Sequence, residues 1–352
     1  MSDKSLCSHK NENISASISF LRFPLTVMIV MYHCYCVQTP HNQPLYAAFI
    51  YPFGLILGET GVPAFFFVSG FLFFYSQRSF SQKLRTRVYT LLVPYLFWNS
   101  LILLVYVGLM LLGKPMEIAD KNIADFHFID FIRAFIDRGK WDNGNGQPLL
   151  CPYWYVRNLM VLSIVAPLLQ MVIRGAKGIV TLSVILAWWM ILPYNGMVAQ
   201  SLLFFCMGAF FSVNRINPSK LFGTLQRIIL VSVWTVLACL DWLSHFCISM
   251  EGGLFIHRLV LTLNIFILWR VAGRASARVY TPLILEKSSF WIYTIHYPFT
   301  LIIREIHPAL FDYEQIIFYS ISVAIIVMLS IATYRIGQIT MPRLLSVITG
   351  NR

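Results

Sequence analysis

The sequence predicts an all-α, polytopic integral membrane protein of about ten transmembrane helices, with both termini in the cytoplasm. Three observations predict it. Of the 352 residues, 58% are hydrophobic and only 12% are charged, and the mean hydropathy is +0.68, a balance foreign to ordinary soluble domains. The apolar residues gather in runs near the length of roughly 20 that a helix needs to cross a bilayer. The basic residues fall between those runs on alternating sides.

The runs lie near Ile18 to Val37, Gly61 to Ser76, Val88 to Leu112, Tyr153 to Ile173, Ile179 to Leu192, Val198 to Val213, Ile228 to Cys247, Leu254 to Trp269, Phe290 to Ile303 and Gln315 to Tyr334. Tyr46 to Leu57 is either a re-entrant piece or the start of a longer second span. Residues 1–17 are polar, rich in Ser and Asn, and lack a signal-peptide pattern. They read as a cytoplasmic tail, followed by one membrane domain over residues 18–340 and a second cytoplasmic tail over residues 341–352.

With the amino terminus inside, the cytoplasmic segments collect Lys4, Lys10, Arg78, Lys83, Arg85, Arg87, Arg174, Lys177, Arg215, Lys220, Arg227, Arg270, Arg274, Arg278, Lys287, Arg335, Arg343 and Arg352, most of the 27 basic residues. Lys114, Lys121, Arg133, Arg138 and Lys140 fall in one long outer loop, and Arg157, Arg258 and Arg304 at outer span ends. The formal charge of +12 is thus mainly a topology signal, with a secondary pull toward anionic lipid head groups or an anionic cytosolic ligand. Nucleic acid is not an expected partner. The seven cysteines are scattered through apolar runs without metal-ligand spacing, so they read as packing residues and no metal site is expected.

The long loop, residues 113–152, contains Asp125 to Ile136, apolar on one side at near-helical spacing, and then the turn-rich Asp142 to Pro148. This predicts a helix lying on the outer leaflet followed by a flexible segment. A plain connector is the alternative, although loops of this length in compact proteins are usually functional.

The first span carries two ionisable groups, Arg22 and His33. Eleven residues at 100° each bring them within roughly 20° of one helix face, about 16 Å apart along the axis. Each taken singly is explained by snorkelling or by a bond inside the bundle. A shared face favours a pathway or site, because ionisable groups in a bilayer are costly and usually functional. His296 lies inside the ninth span, either as a bundle histidine or as a group that positions acceptor or polarises a carbonyl. Glu59, just before the second span, is either a loop carboxylate or the partner that orients His33. Asp241 and His245, at i,i+4 spacing, read as a rim pair. Trp154, Tyr155 and Arg157 open the fourth span, where they form either an aromatic belt or a sugar-binding rim. Lys83, Arg85 and Arg87 are either topology charges or a phosphate-binding mouth.

These features, in order, resemble the acyltransferase-3 family of polytopic membrane O-acyltransferases. Arg22, ten residues, then His33 is similar to the family's Arg/Lys-(ten residues)-His motif. GVPAFFFVSGF (Gly61 to Phe71) resembles its second helix, KLRTR with LLVPYLFWN (Lys83 to Asn99) its basic-to-Pro-Tyr run, YWYVRNL (Tyr153 to Leu159) its Trp-Phe-Leu-Arg-x-Leu segment, and SSFWIYTIH (Ser288 to His296) its late segment ending in histidine. The basic residues at 83, 85 and 87 depart from the family's usual Arg-x-x-Arg spacing, and no esterase-like extension follows, as in a stand-alone form.

The resemblance implies transfer of an acetyl or other short acyl group from acyl-CoA to a hydroxyl of a cell-envelope glycan or its lipid-linked precursor, in a bacterial inner membrane. It implies no bound cofactor, acetyl-CoA as co-substrate, and membrane lipids as surroundings. His33 would be the general base, since a neutral imidazole accepts a hydroxyl proton near neutral pH. Arg22 with Lys83, Arg85 and Arg87 would hold the donor's phosphates. Glu59, Trp154, Tyr155, Arg157 and His296 would line the acceptor side. The rival reading is a transporter or flippase of a lipid-linked or small anionic solute; no clear repeat supports it, although Pro24, Pro63 and Pro94 could break helices as in transporters. Acceptor, acyl chain and oligomeric state are left open.

Overall fold

Each of the ten apolar runs falls on a helix. The computed structural model describes residues 2–38, 44–118, 121–138, 146–192, 196–218, 221, 223–247, 250–310 and 315–350. Lys140, the Asp142 to Asn145 part of the turn-rich segment, Lys220 and Arg352 lie outside the described residues. The helices are α1 (Ser2–Gln38), α2 (Pro44–Tyr51), α3 (Gly61–Tyr75), α4 (Phe80–Arg87), α5 (Val93–Leu111), α6 (Phe128–Ile136), α7 (Trp154–Val172), α8 (Ala176–Ile191), α9 (Met197–Val213), α10 (Thr224–Cys247), α11 (Met250–Ala275), α12 (Leu283–Leu310), α13 (Gln315–Thr340) and α14 (Pro342–Ile348).

Seven stretches among the described residues are long and apolar enough to span a bilayer, and α8 and α9 are shorter apolar helices. The second of the seven runs from Ala48 to Tyr75. Residues 48–57 therefore begin the second span, through a π-helical segment over Pro52–Leu57. A π turn opens the backbone ladder by one residue and recurs at functional sites. Here it delivers Glu59 to the bundle interior.

Polarity runs opposite to that of a soluble protein. Leu104, Ile164, Val180 and Ile228 face outward, each at least 60% exposed, while Asn99, Asn158, Asp241, His257, Arg258, Asn264 and His296 are buried. That distribution suits hydrocarbon outside and hydrogen-bonded polar groups inside. The chain is a multi-pass membrane protein.

The core is aromatic. Phe66 and Phe67 of α3 meet Phe204 and Phe205 of α9 and Trp269 of α11, all essentially inaccessible. Two glycines let α3 and α9 approach so closely: a Cβ on Gly208 would stand 1.9 Å from the Phe67 carbonyl oxygen, and one on Gly70 would stand 2.1 Å from that of Phe205. Small residues at a crossing are how helices in membranes gain contact. Against α3 and α12 packs α1, whose Pro24 lies inside the helix, with the Thr26 hydroxyl donating to the Arg22 carbonyl at 2.9 Å.

The long loop contains the expected amphipathic helix, α6. Phe128, Ile129 and Ile136 are exposed, whereas Ala134 is buried against α5 with Ile118, Ile123 and Leu149. Lys121 and His127 at its start engage Asp130, as the Lys121 Nζ and the His127 amide both donate to Oδ2, at 2.7 and 2.9 Å. A two-residue hairpin precedes it, β1 (Glu117–Ile118) antiparallel to β2 (Lys121–Asn122), with Glu117 opposite Asn122. It is a local addition to an otherwise helical fold.

Candidate functional site

His33 lies beyond the middle of α1, and its face is set by the arithmetic of the helix. Its ring stands 5.0 Å from that of His296 on α12 and 5.3 Å from that of Tyr297. His296 is fully buried, and its Nδ1 lies 3.1 Å from the Ile292 carbonyl and 2.7 Å from that of Tyr293. Carbonyls only accept, so Nδ1 carries the proton and Nε2 presents a lone pair. Among the described residues that Nε2 has no hydrogen-bond partner. His296 thus offers its unused nitrogen at the level of the His33 ring.

A cavity of about 110 Å³ opens beside His33. Its walls include Tyr32 and His33 from α1, Glu59, Trp154 from α7, Gln200 from α9, and His257 and Arg258 from α11, with Gln147 and Cys151 from the end of the long loop. The loop is pinned there by stacked tyrosines: Tyr153 lies between Tyr95 and Tyr293, its hydroxyl is 3.0 Å from that of Thr294, and the Tyr293 hydroxyl donates to the Pro152 carbonyl. A pocket with apolar walls, one aromatic face and a few convergent polar groups is the usual form of a small-substrate site.

Several predicted site residues gather here and others do not. Glu59, Trp154 and His33 line the cavity, and the His296 ring lies against that of His33, tilted 45° to it. Trp154 is 8% exposed and so is no lipid-facing belt residue. Tyr155 turns inward, its hydroxyl 3.1 Å from that of Ser69 and its ring against Phe66 and Tyr293. Arg157 clamps the loop, with Nε and one terminal nitrogen donating to Asn158 at 3.1 and 3.0 Å and the other to the Ile136 carbonyl that ends α6.

At the other end of α1, Arg22 donates to Glu286 at 2.8 Å, and the Ser19 hydroxyl joins the same oxygen at 3.0 Å. Lys83 and Arg87 of α4 stand over the Phe73 ring at 5.2 and 5.9 Å, while Arg85 is exposed. These three form a basic surface of their own.

Two expectations are corrected. Glu59 does not orient His33; it bonds His257, whose Nε2 lies 3.2 Å from its Oε2. Asp241 is not at the rim. It is completely buried, 2.8 Å from His257 Nδ1, and it accepts from the Tyr51 hydroxyl at 3.0 Å, while His245 packs its ring on Tyr51. The reason is position: α11 brings the His257 ring to the Asp241 carboxylate, a contact between helices that spacing along α10 does not show. His257 was the residue missed, although a histidine inside the apolar run from Leu254 to Trp269 was the available signal. Its neighbour Arg258, expected at a span end, is also buried, and it donates to the carbonyls of Trp189, Met190 and Leu192 at the end of α8.

Among curated proteins, the chain is 23% identical over 380 residues to the succinoglycan biosynthesis protein ExoH of Rhizobium meliloti (strain 1021), covering 97% of this chain and 93% of that protein. No solved structure matches. The model of the acyltransferase-3 family, described as an acyltransferase domain, matches residues 15–335, from before Arg22 into the last span. The chain therefore belongs to the acyltransferase-3 family, and it is a multi-pass membrane acyltransferase.

Proposed function

We propose that the protein moves an acetyl or other short acyl group from acyl-CoA to a hydroxyl of a cell-envelope glycan or its lipid-linked precursor. The observation that carries this reading is the placement of His33 on the wall of a cavity that also holds Trp154, Gln200 and Glu59. An imidazole, an aromatic face and hydrogen-bonding groups in one small chamber suit a polyhydroxylated acceptor. The relative named for succinoglycan biosynthesis supports a glycan as acceptor, and the family assignment favours transfer over transport.

In this reading Arg22 meets the donor's phosphates at one end of α1, and the acyl-bearing arm runs roughly 16 Å along the helix to His33. The imidazole takes the proton of the acceptor hydroxyl as its oxygen attacks the thioester carbonyl. The carbon–sulfur bond breaks, and the thiolate recovers that proton from the imidazolium and leaves as the free thiol of CoA. The new ester stays on the glycan. His296, with its Nδ1 committed to backbone carbonyls, leaves Nε2 open beside the His33 ring as an acceptor for a proton of the acyl acceptor. Lys83, Arg85 and Arg87 add positive charge on the donor's side of the membrane.

The test is purified protein incubated with labelled acetyl-CoA and oligosaccharides released from the envelope. Wild type is expected to label the glycan, and His33→Ala to lose about 10²-fold or more of that rate, the usual worth of a general base. Equal labelling by both proteins removes His33 from the mechanism. Label that never leaves CoA removes the donor assignment.

A further inference from the structure

The second histidine of the cavity stands in a chain of charges that a structural role leaves unexplained. The Tyr51 hydroxyl donates to Asp241 Oδ1 at 3.0 Å, Asp241 Oδ2 lies 2.8 Å from His257 Nδ1, and His257 Nε2 lies 3.2 Å from Glu59 Oε2. Both ring nitrogens therefore face carboxylate oxygens, and the form that satisfies both is the imidazolium, with two N–H donors. One imidazolium and the buried Asp241 already balance. Glu59 adds a second carboxylate, so these three groups carry one net negative charge between them, while the Arg258 guanidinium on the same cavity wall gives Nη1 to the carbonyls that end α8.

That charge sits at the open end. The Asp241 side chain is 0% exposed and that of His257 is 8% exposed, whereas Glu59 is 22% exposed and lines the same cavity as His33. An unbalanced carboxylate in a bundle wall is costly unless a ligand donates to it. Its neighbours on that wall, the Trp154 ring and the Gln200 amide, offer a flat apolar face and a mixed donor and acceptor, to which a sugar ring with several hydroxyls is the matching partner. A carboxylate accepts hydrogen bonds from two adjacent hydroxyls at once.

Resting on the function proposed above, we infer that Glu59 grips the acceptor by hydroxyls neighbouring the one that reacts, and that His257 and Asp241 are positioning residues that fix Glu59 for this task. His33 removes the proton from the attacking hydroxyl, while Glu59 decides which hydroxyl is presented. Three separate elements converge on this arrangement: the π-helical entry to α3 supplies Glu59, α11 supplies His257, and α10 supplies Asp241.

The experiment uses full-length protein in detergent, labelled acetyl-CoA, and oligosaccharides released from the envelope as the acceptor probe, with KM for each substrate measured separately. Glu59→Gln keeps an oxygen for the His257 N–H and removes only the charge. It is expected to raise acceptor KM about tenfold or more while donor KM stays within about twofold and the thermal midpoint holds, the order expected when a site loses a charged hydrogen bond to substrate. Asp241→Asn is expected to raise acceptor KM in the same sense, by less. A fall in thermal midpoint with both KM values unchanged overturns the inference and makes the cluster a structural tie. An equal rise of both KM values in Glu59→Gln overturns it as well. If wild type labels no glycan, the proposed function falls and this inference with it; wild-type labelling with unaltered kinetics in Glu59→Gln sinks this inference alone.

Discussion

At the scale of single residues, Arg22, the proposed contact for the donor's phosphates, already has a partner. Its guanidinium is paired to Glu286 at 2.8 Å, with side chains 44% and 22% exposed. An ion pair this open to solvent contributes about 0–1 kcal/mol, so phosphates can displace the carboxylate. Glu286→Gln is expected to lower KM for acyl-CoA by up to about fivefold, the rate equivalent of that range, whereas Arg22→Ala is expected to raise it; donor titrations on the purified protein measure both. Two of the histidines around the cavity differ in the same way: His257 is bound on both nitrogens, whereas His296, its ring tilted 45° to that of His33, keeps Nε2 without a partner among the described residues.

At the scale of elements, the α3 and α9 crossing and the loop helix α6 make separate predictions. Gly208→Ala places a methyl group 1.9 Å from the Phe67 carbonyl oxygen, backbone that cannot yield as a side chain does. The expected cost is about 1–3 kcal/mol, the usual range for overpacking, read as a lower thermal midpoint in detergent. In α6, the Lys121 ammonium and then the His127 amide hold the Asp130 carboxyl below its usual range. Because its folded value is depressed, the stabilisation is complete above the ordinary carboxylate value near about 4 and is lost as pH falls through the lowered one. Hydrogen-exchange protection of α6, corrected for intrinsic rates, is expected to fall over that acidic range in wild type. In Asp130→Asn it is expected to be low throughout and flat with pH.

At the scale of the whole molecule, the alternation of basic segments makes the orientation testable. A reporter active only outside the cytoplasm is expected to be silent when fused after Gln82 and active when fused after Asn143. The reverse result inverts the protein and places the cavity, with its Gln147 and Cys151 wall, on the cytosolic face.

Much of the architecture was legible in the chain itself, because burial in a bilayer imposes its period and polarity on every span. The apolar runs located the helices, the shared face of Arg22 and His33 followed from 3.6 residues per turn, and the near-helical spacing of Asp125 to Ile136 located α6. The cavity was less legible. Glu59, Trp154 and His33 come from three different elements, and nothing local specifies that Glu59 turns to His257 on α11 or that Asp241 on α10 closes the chain behind it. Periodicity and spacing are properties within one helix, so the sequence alone determined where the apolar helices lie and which of their residues share a face. Which partner each obtained depended on how helices far apart in the chain pack, and only the tertiary structure decided that.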